Sequence, residues 1–249
     1  MAAGSVLVTG ASRGIGAAAA IACARQGWDV AVNYTRDKPA AEVVAAQARA
    51  LGRRAIVVQA DVADEAAVLA MFARVDAELG ALTGLVNNAG VVDVKARVDE
   101  VSVARLQRMF AINVFGSFVC AREAIKRMSR KHGGAGGAIV NLSSVAARLG
   151  GPGWYVDYAA SKGAIDTFTT GLAVEVAAEG IRVNAVRPGI IDTDIHASGG
   201  QPGRAQALAS LIPMQRPGTA DEVAAAIVWL LSDAAAYTTG AIIDVSGGR

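Results

Sequence analysis

Cysteine and histidine are both rare in this sequence of 249 residues. The two cysteines, Cys23 and Cys120, each fall within an apolar helical pattern, so we expect buried free thiols in a reducing compartment. The chain has two histidines, and nothing near His196 completes a metal-ligand pattern, so the sequence predicts no metal site. For His196 a solvated loop position is favoured over a substrate contact.

The sequence also lacks a strong excess of charge of one sign and lacks long apolar runs. The 24 basic and 22 acidic residues are scattered along the chain, which argues against a nucleic-acid partner. No stretch of about 18 apolar residues predicts a membrane span, and no signal peptide precedes the first predicted strand. We therefore expect a soluble, cytoplasmic protein with no membrane partner.

Hydrophobic residues, in contrast, make up 53% of the chain, against 18% charged residues. This composition is typical of a globular protein with a substantial core, as one large α/β domain or two small ones. Short apolar runs, the first at residues 5–9, alternate six times with helical patterns, and residues 241–245 add a closing run. The pattern predicts an α/β fold, a single doubly wound, parallel, seven-stranded sheet with helices on both faces.

A glycine-rich turn joins the first apolar run to the first helix. It reads Gly10-Ala-Ser-Arg-Gly14-Ile-Gly16, a Gly-x-x-x-Gly-x-Gly spacing that differs from the usual dinucleotide fingerprint. Such a turn lets backbone N–H groups and a helix N-terminus approach a pyrophosphate, although a plain tight turn is the alternative. The predicted cofactor contacts in this turn are Gly10, Ser12, Arg13, Gly14, Ile15 and Gly16.

The second apolar run ends without a carboxylate. Dinucleotide-binding proteins usually hold the ribose 2′-OH with an acidic residue there, whereas this run ends in Asn33-Tyr34-Thr35-Arg36. Arg13 and Arg36 would suit a 2′-phosphate, so we expect NADP(H) to be preferred. NAD(H) stays possible because Asp37 lies close by, and a solvated Arg36 is the alternative interpretation.

The turns after the later strands add further candidate cofactor contacts. Asp61 could reach an adenine amino group or cap a turn. The small residues after the fourth run would let the backbone approach a flat ligand, with Asn88 pinning the turn by side-chain hydrogen bonds. The complete set beyond the glycine turn is Asn33, Arg36, Asp61, Val62, Asn88, Ala89, Gly90, Tyr158, Lys162, Pro188, Gly189, Ile191 and Thr193.

Tyr158 and Lys162 stand four residues apart in a predicted helix and therefore share one face. The Lys162 ammonium would lower the phenol pKa from about 10, which would make Tyr158 a general acid or base. Ser143 and Ser144 end the fifth apolar run, where a hydroxyl could hold the reacting oxygen. A Tyr-x-x-x-Lys pair alone is usually a solvated helix face, but the strand-end turns converge on one cleft and favour catalysis.

Asn113 lies in an apolar stretch between two predicted helices at residues 102–109 and 114–130. A buried Asn must find hydrogen-bond partners. Asn113 could cap or kink a helix, or hold a water beside the site.

These motifs occur in a fixed order along the chain. They are Thr9-Gly-Ala-Ser-Arg-Gly-Ile-Gly16, Asn87-Asn-Ala-Gly90, Asn113, Ser144, Tyr158-Ala-Ala-Ser-Lys162, Arg187-Pro-Gly189 and Thr239-Gly-Ala-Ile-Ile-Asp-Val-Ser-Gly-Gly248. On these residues the chain resembles the classical short-chain dehydrogenase/reductase family over essentially its whole length. The resemblance implies a Rossmann fold with strand order 3-2-1-4-5-6-7 and, usually, a homotetramer.

The resemblance also implies a catalytic tetrad of Asn113, Ser144, Tyr158 and Lys162. Tyr158 would donate the proton in reduction while Ser144 orients the carbonyl. Lys162 would bind the nicotinamide ribose and lower the Tyr158 pKa, and Asn113 would hold a relay water. Thr193 matches a position that bonds the carboxamide. The segment between Ser144 and Tyr158 is one residue longer than in many members, so Ser143 remains an alternative acting serine.

We therefore expect a single domain over residues 1–249 that is an NADP(H)-preferring oxidoreductase, a carbonyl reductase in the broad sense. It would interconvert a small-molecule ketone or aldehyde with an alcohol by direct hydride transfer. An NAD-dependent sugar or polyol dehydrogenase is one alternative, and a non-catalytic NAD(P) sensor is another. A substrate lid is predicted at about residues 190–216, and Trp154 and Tyr155 could line the substrate pocket.

Overall fold

Seven strands form one parallel sheet in a computed structural model that describes residues 4–194 and 199–249. Their spatial order is β3-β2-β1-β4-β5-β6-β7, as predicted. In chain order the strands are β1 (Ser5–Val8), β2 (Asp29–Tyr34), β3 (Ala55–Gln59), β4 (Leu82–Asn87), β5 (Gly137–Leu142), β6 (Ile181–Pro188) and β7 (Ile242–Val245). The direction of winding reverses between β1 and β4, which opens a ligand crevice beyond their carboxyl ends.

Helices cover both faces of this sheet. In chain order they are α1 (Gly14–Arg25), α2 (Lys38–Ala50), α3 (Glu65–Leu79), α4 (Val103–Phe110), α5 (Gly116–Met128), α6 (Ala146–Leu149), α7 (Val156–Val176), α8 (Arg204–Ala207) and α9 (Ala220–Leu231). Thr219 and Glu222 form the capping box that opens α9. The predicted doubly wound α/β fold is therefore confirmed.

The central strand β1 explains why the apolar runs are continuous. Val6 and Val8 belong to the core on the side of α1 and α9, whereas Leu7 belongs to the core on the side of α3 and α5. All three side chains are fully buried. Because successive side chains point to opposite faces and both faces are covered, consecutive positions in the middle of such a strand are apolar.

The predicted break between two helices at Asn113 is wrong. A π-helical turn over Ala111–Phe115 carries α4 directly into α5, so Asn113 lies inside one continuous helical segment. The wider turn is a common device at functional sites. The buried Asn113 side chain contacts the backbone of Val91, which follows β4. The Val91 N–H donates to the Asn113 side chain, and the Val91 carbonyl oxygen accepts from it.

Cys23 and Cys120 are buried and unpaired, as predicted, and burial raises the pKa of each thiol to about 12. Among the residues described, no helix is long and apolar enough to cross a membrane. The same residues contain no group of three or more His, Cys, Asp or Glu side chains that could hold a metal ion. His196 lies outside the described residues.

Candidate active site

The glycine turn packs directly against the turn that follows β4. Gly10 has a φ of +61°, and a Cβ at Gly16 would lie 2.4 Å from the Asn88 Nδ2 atom, so neither position has room for a side chain. Asn88 donates from that amide to the carbonyl oxygens of Thr9 at 2.8 Å and Gly10 at 3.0 Å. Asn88 thus pins the two turns together, as predicted.

The first turn of α1 is open to an anion. Its N-cap residue Arg13 makes no capping side-chain hydrogen bond, and the first turn has no acidic residue. The leading N–H groups of a helix have no intrahelical partner and carry partial positive charge. Thr193 approaches the same turn from the end of β6, since a Cβ at Gly14 would lie 3.6 Å from the Thr193 Cβ. This cradle fits the pyrophosphate of a dinucleotide.

Asn33 lies beneath the glycine turn rather than at an exposed strand tip. Its Oδ1 accepts from the Gly10 N–H at 3.0 Å, and its Nδ2 donates to the carbonyl oxygens of Val58 at 3.3 Å and Ala60 at 3.1 Å. The side chain is 1% exposed. Asn33 therefore links the ends of β1, β2 and β3. It would affect a bound cofactor indirectly, by fixing the shape of the glycine turn.

The charged residues around the end of β2 separate into two groups. Arg13 and Arg36 are exposed, and their positions flank the turn and the strand end in sequence. Asp37 accepts from the Ala40 N–H at 2.9 Å and so serves as the N-cap of α2. Asp61 accepts from the Ala63 N–H at 3.0 Å, which supports the turn-capping interpretation of that carboxylate. Both carboxylates thus have local backbone partners.

Lys162 is held at the carboxyl end of β5. Its Nζ donates to the carbonyl oxygen of Leu142 at 2.6 Å and lies 5.7 Å from the centre of the Tyr158 ring. The side chain is buried, and this burial lowers the Lys162 pKa to about 8, with the charge of Asp166 acting in the opposite direction. The predicted pairing of Tyr158 and Lys162 on one face of α7 is present.

The predicted direction of the Tyr158 pKa is wrong. Burial raises the pKa of this partly buried phenol, and a hydrogen bond with Ser144 and the charge of Arg204 only partly offset that rise. Spacing in sequence gave Lys162 the dominant effect, whereas desolvation of the phenolate is the largest cause of the shift and the opposing contributions come from Ser144 and Arg204. Tyr158 therefore keeps its proton at neutral pH.

The two serines that end β5 point in different directions. Ser143 is buried and donates from its Oγ to the Lys162 carbonyl oxygen at 3.2 Å. Ser144 accepts from the Ala146 N–H at 3.1 Å, and its hydroxyl lowers the pKa of Tyr158 against the effect of burial. Of the pair, Ser144 is the one beside the phenol.

Asn113 organises the backbone next to these groups. Its Oδ1 accepts from the Val91 N–H at 2.8 Å, and its Nδ2 donates to the Val91 carbonyl oxygen at 2.9 Å and to Ser161 Oγ at 3.1 Å. A Cβ at Gly90 would lie 3.4 Å from Asn113 Oδ1 and 3.5 Å from Lys162 Nζ. Asn113, Gly90 and Lys162 therefore meet at one point.

A cavity of about 410 Å³ joins these elements. Among the predicted site residues, its walls include Ile15, Asn88, Gly90, Ser144, Tyr158, Lys162, Pro188, Gly189, Ile191 and Thr193. Trp154 and Tyr155 also line it, as predicted. Several wall residues were not singled out from the sequence, among them Arg204, Leu208 and Leu211, to whose region only the predicted lid at residues 190–216 pointed.

Two loops on one side of the cavity are bonded to each other. The Ala96 N–H donates to the Trp154 carbonyl oxygen at 3.0 Å. Arg105 adds a second link, since it donates to the Val94 carbonyl oxygen at 2.7 Å and to Asp157 Oδ2 at 2.7 Å. The segment after β4 and the segment before α7 are thereby joined.

Comparisons with known proteins agree with this geometry. The family model described as enoyl-(acyl carrier protein) reductase matches residues 10–249. An uncharacterized oxidoreductase, YgfF of Escherichia coli K12, is 58% identical over 98% of both chains. The cis-4-hydroxycyclohexanecarboxylate dehydrogenase of Sinomonas cyclohexanicum is 41% identical over 97% of this chain and 94% of its own.

A solved structure extends the similarity to three dimensions. A short-chain dehydrogenase from Burkholderia cenocepacia in complex with NADP superposes with a TM-score of 0.90 at 36% identity, covering 98% of this chain and 97% of its own. Sequence identity at this level over nearly complete chains shows that two proteins share a family as well as a fold. The chain belongs to the short-chain dehydrogenase/reductase family of NAD(P)(H)-using oxidoreductases.

Proposed function

We propose that this protein is an NADP(H)-preferring oxidoreductase that interconverts a ketone or aldehyde with an alcohol. The single observation that carries the proposal is that Ser144, Tyr158 and Lys162 line the same cavity as Ile15 of the glycine turn. A reacting carbonyl beside Tyr158 would therefore also lie beside a bound nicotinamide. A pure dinucleotide sensor has no need of serine, tyrosine and lysine side chains that line one cavity together.

The glycine turn and the start of α1 would hold the pyrophosphate, and Lys162 would hold the nicotinamide ribose. Arg13 and Arg36 would pair with a 2′-phosphate, while Asp37, the nearest carboxylate after β2, is already engaged as the cap of α2. The NADP bound to the Burkholderia relative supports the same preference. When bound, the nicotinamide supplies or accepts the hydride.

Tyr158 would donate its proton to the carbonyl oxygen in the reductive direction. The raised pKa suits this task, because the phenol stays protonated until negative charge develops on the substrate. Ser144 would donate a hydrogen bond to the same oxygen and stabilise that charge. With a hydride supplied to the carbonyl carbon by the bound nicotinamide, the proton from Tyr158 would complete the neutral alcohol.

Lys162 would stabilise the phenolate that this transfer leaves behind. Asn113 would hold a relay water through its backbone carbonyl, since its side-chain amide is already engaged by Val91 and Ser161. The carbonyl of Asn113 accepts one hydrogen bond, from Ser117 at 3.2 Å, which leaves a second lone pair.

Residues 190–216 would act as a substrate lid on a single domain. Thr193 lies against the glycine turn, and Leu208 and Leu211 form part of the cavity wall, which is where a closing segment must act. A homotetramer is supported by the exposed aromatic rings of Phe115 and Phe118, at 61% and 47% exposure, near the start of α5. Light scattering coupled to gel filtration measures that assembly directly.

The proposal is tested by titrating the protein with NADPH and NADH, using nucleotide fluorescence, and then assaying a panel of ketones, aldehydes, sugars and polyols. We expect NADPH to bind several-fold more tightly, and Arg13→Ala with Arg36→Ala to remove that difference. Tyr158→Phe should bind NADPH normally and lose turnover. Wild-type turnover in Tyr158→Phe would overturn the mechanism, and sugar oxidation with NAD alone would favour the sugar dehydrogenase.

A further inference from the structure

The cavity beside Tyr158 contains a guanidinium that the proposed chemistry does not use. Arg204, the first residue of α8, lines this cavity. Its Nε is buried and has no hydrogen-bond partner within residues 4–194 and 199–249. Buried polar atoms in proteins are nearly always hydrogen-bonded, so an unpaired guanidinium nitrogen in a ligand cavity calls for a ligand.

Two aromatic rings hold Arg204 in place. Its Cζ lies 5.1 Å from the centre of the Tyr155 ring and 5.4 Å from that of Trp154. The two rings meet edge to face, with centres 6.2 Å apart and planes at 75°. Cation–π contact of this kind orients a guanidinium without occupying its N–H donors. Arg204 is therefore fixed and still able to donate.

The charge of the cavity has one sign. Its charged lining residues are Lys162, Arg204 and Arg249, and no Asp or Glu contributes to its wall among the residues described. Two carboxylates adjacent in sequence to wall residues have other partners, since Asp157 accepts from Arg105 at 2.7 Å and Asp192 accepts from Gln206 at 2.8 Å. A cavity whose charged lining side chains are all cationic favours an anionic ligand.

The position of Arg204 relates this anion to the reacting atoms. Arg204 and Tyr158 line the same cavity, and the charge of Arg204 lowers the Tyr158 pKa against the effect of burial. The wall of the same cavity also includes the apolar side chains of Leu149, Leu208 and Leu211. The cavity thus offers a proton donor, an apolar wall and a cation to one small molecule.

We propose that Arg204 binds the carboxylate of an oxo acid or hydroxy acid whose carbonyl or alcohol oxygen meets Tyr158 and Ser144. This inference rests on the proposed function and names its substrate class. The planar fork of the guanidinium matches a carboxylate in two parallel hydrogen bonds. A phosphate or phosphonate presents the same oxyanion chemistry, and the experiment separates the two.

The test uses ketone sets that differ only in one substituent: a carboxylate, its methyl ester, or a phosphonate. We expect wild-type kcat/KM to favour the acid over the ester by at least about tenfold, the range of a hydrogen bond to a charged group. Arg204→Met should bring this ratio close to one, chiefly by raising KM for the acid. Arg204→Lys should restore part of it.

Lys95→Met is the matched control, because the Lys95 ammonium lies 5.6 Å from the centre of the same Trp154 ring and is not part of the cavity wall. That change should leave the acid-to-ester ratio within about twofold of wild type, in keeping with the small effect of an exposed charge. Thermal melting of each variant checks that the fold is kept.

Each outcome separates the inference from the proposed function. Turnover of acid and ester at equal rates, unchanged in Arg204→Met, overturns the inference and leaves the proposed function standing. A phosphonate favoured tenfold over the carboxylate overturns the carboxylate assignment. Absence of turnover by the wild-type protein on every ketone tested, with or without an acidic group, overturns the proposed function. Binding of the acid to the NADPH complex, followed by nucleotide fluorescence, then decides whether Arg204 recognises the anion.

Discussion

The Lys162 Nζ atom lies 2.6 Å from the carbonyl oxygen of Leu142, the last residue of β5. The end of a core strand therefore fixes the ammonium, rather than a flexible side-chain partner. Asp166 follows one turn later on α7, and its charge opposes the lowering of the Lys162 pKa by burial. The protonation of Lys162 is thus set by a balance between burial of the ammonium and the charge of one carboxylate.

The first prediction concerns the pH dependence of reduction. Lys162 has a pKa of about 8 and must be protonated to stabilise the Tyr158 phenolate, so kcat/KM should fall as the pH rises through about 8. Asp166→Asn removes a charge that raises this pKa. The alkaline limb should then move to lower pH, by about one pH unit, in a steady-state pH profile.

Asp244→Asn is the matched control for that profile. Asp244 lies 3.7 Å from Arg187, which also pairs with Asp166 at 2.8 Å, but the Lys162 pKa responds to Asp166. The Asp244 variant should keep the alkaline limb of wild type. If the alkaline limb of the Asp166→Asn variant coincided with that of wild type, the assigned effect of Asp166 on the Lys162 pKa would be contradicted.

The second prediction separates the two serines at the end of β5. Ser144→Ala removes the hydroxyl beside Tyr158 and should lower kcat by about 100-fold, as loss of one oxyanion donor does. Ser143→Ala removes only the bond to the Lys162 carbonyl oxygen, so kcat should stay within about threefold while stability falls by about 1 kcal/mol. Steady-state kinetics and thermal melting measure both. A larger loss of kcat in Ser143→Ala than in Ser144→Ala would make Ser143 the acting serine.

The third prediction concerns the contact between the two turns. Gly16→Ala places a Cβ 2.4 Å from Asn88 Nδ2 and 2.5 Å from the Gly10 carbonyl oxygen. We expect a loss of about 1–3 kcal/mol of stability from overpacking. NADPH affinity should fall at least about tenfold, a loss of about 1.4 kcal/mol, because the pyrophosphate cradle is displaced.

Gly171→Ala in α7 is the control substitution of the same kind. Its added Cβ meets no atom within 4 Å, and the residue is exposed. Stability should rise by about 0.5–1 kcal/mol, the helical preference of Ala over Gly, with NADPH affinity unchanged. Equal effects of the two substitutions would show that the contact with Asn88 has no role.

The fold was predictable because its signals are local and repeated. Continuous apolar runs such as that of β1 occur where both faces of a strand are buried, and the glycine turn at Gly10 marks the first crossing into a helix. The pairing of Tyr158 with Lys162 was equally accessible, since four residues are one helical turn.

The rest of the site depends on tertiary surroundings. Burial decides the direction of the Tyr158 pKa, and sequence spacing contains no measure of burial. The continuous helical segment through Asn113 depends on hydrogen bonds to Val91, which lies on a different element. Arg204 lies in a polar segment without hydrophobic periodicity. Its role depends on contact with the rings of Trp154 and Tyr155, which lie far earlier in the chain.

The bond between Ala96 and Trp154 makes the substrate side of the cleft a composite of two distant stretches of chain. Neither stretch can change its path without disturbing the other. Exchanging the Trp154 loop for that of a relative would therefore succeed only if the stretch after β4 is exchanged with it. We therefore expect that engineering of the cleft requires both loops to be changed together.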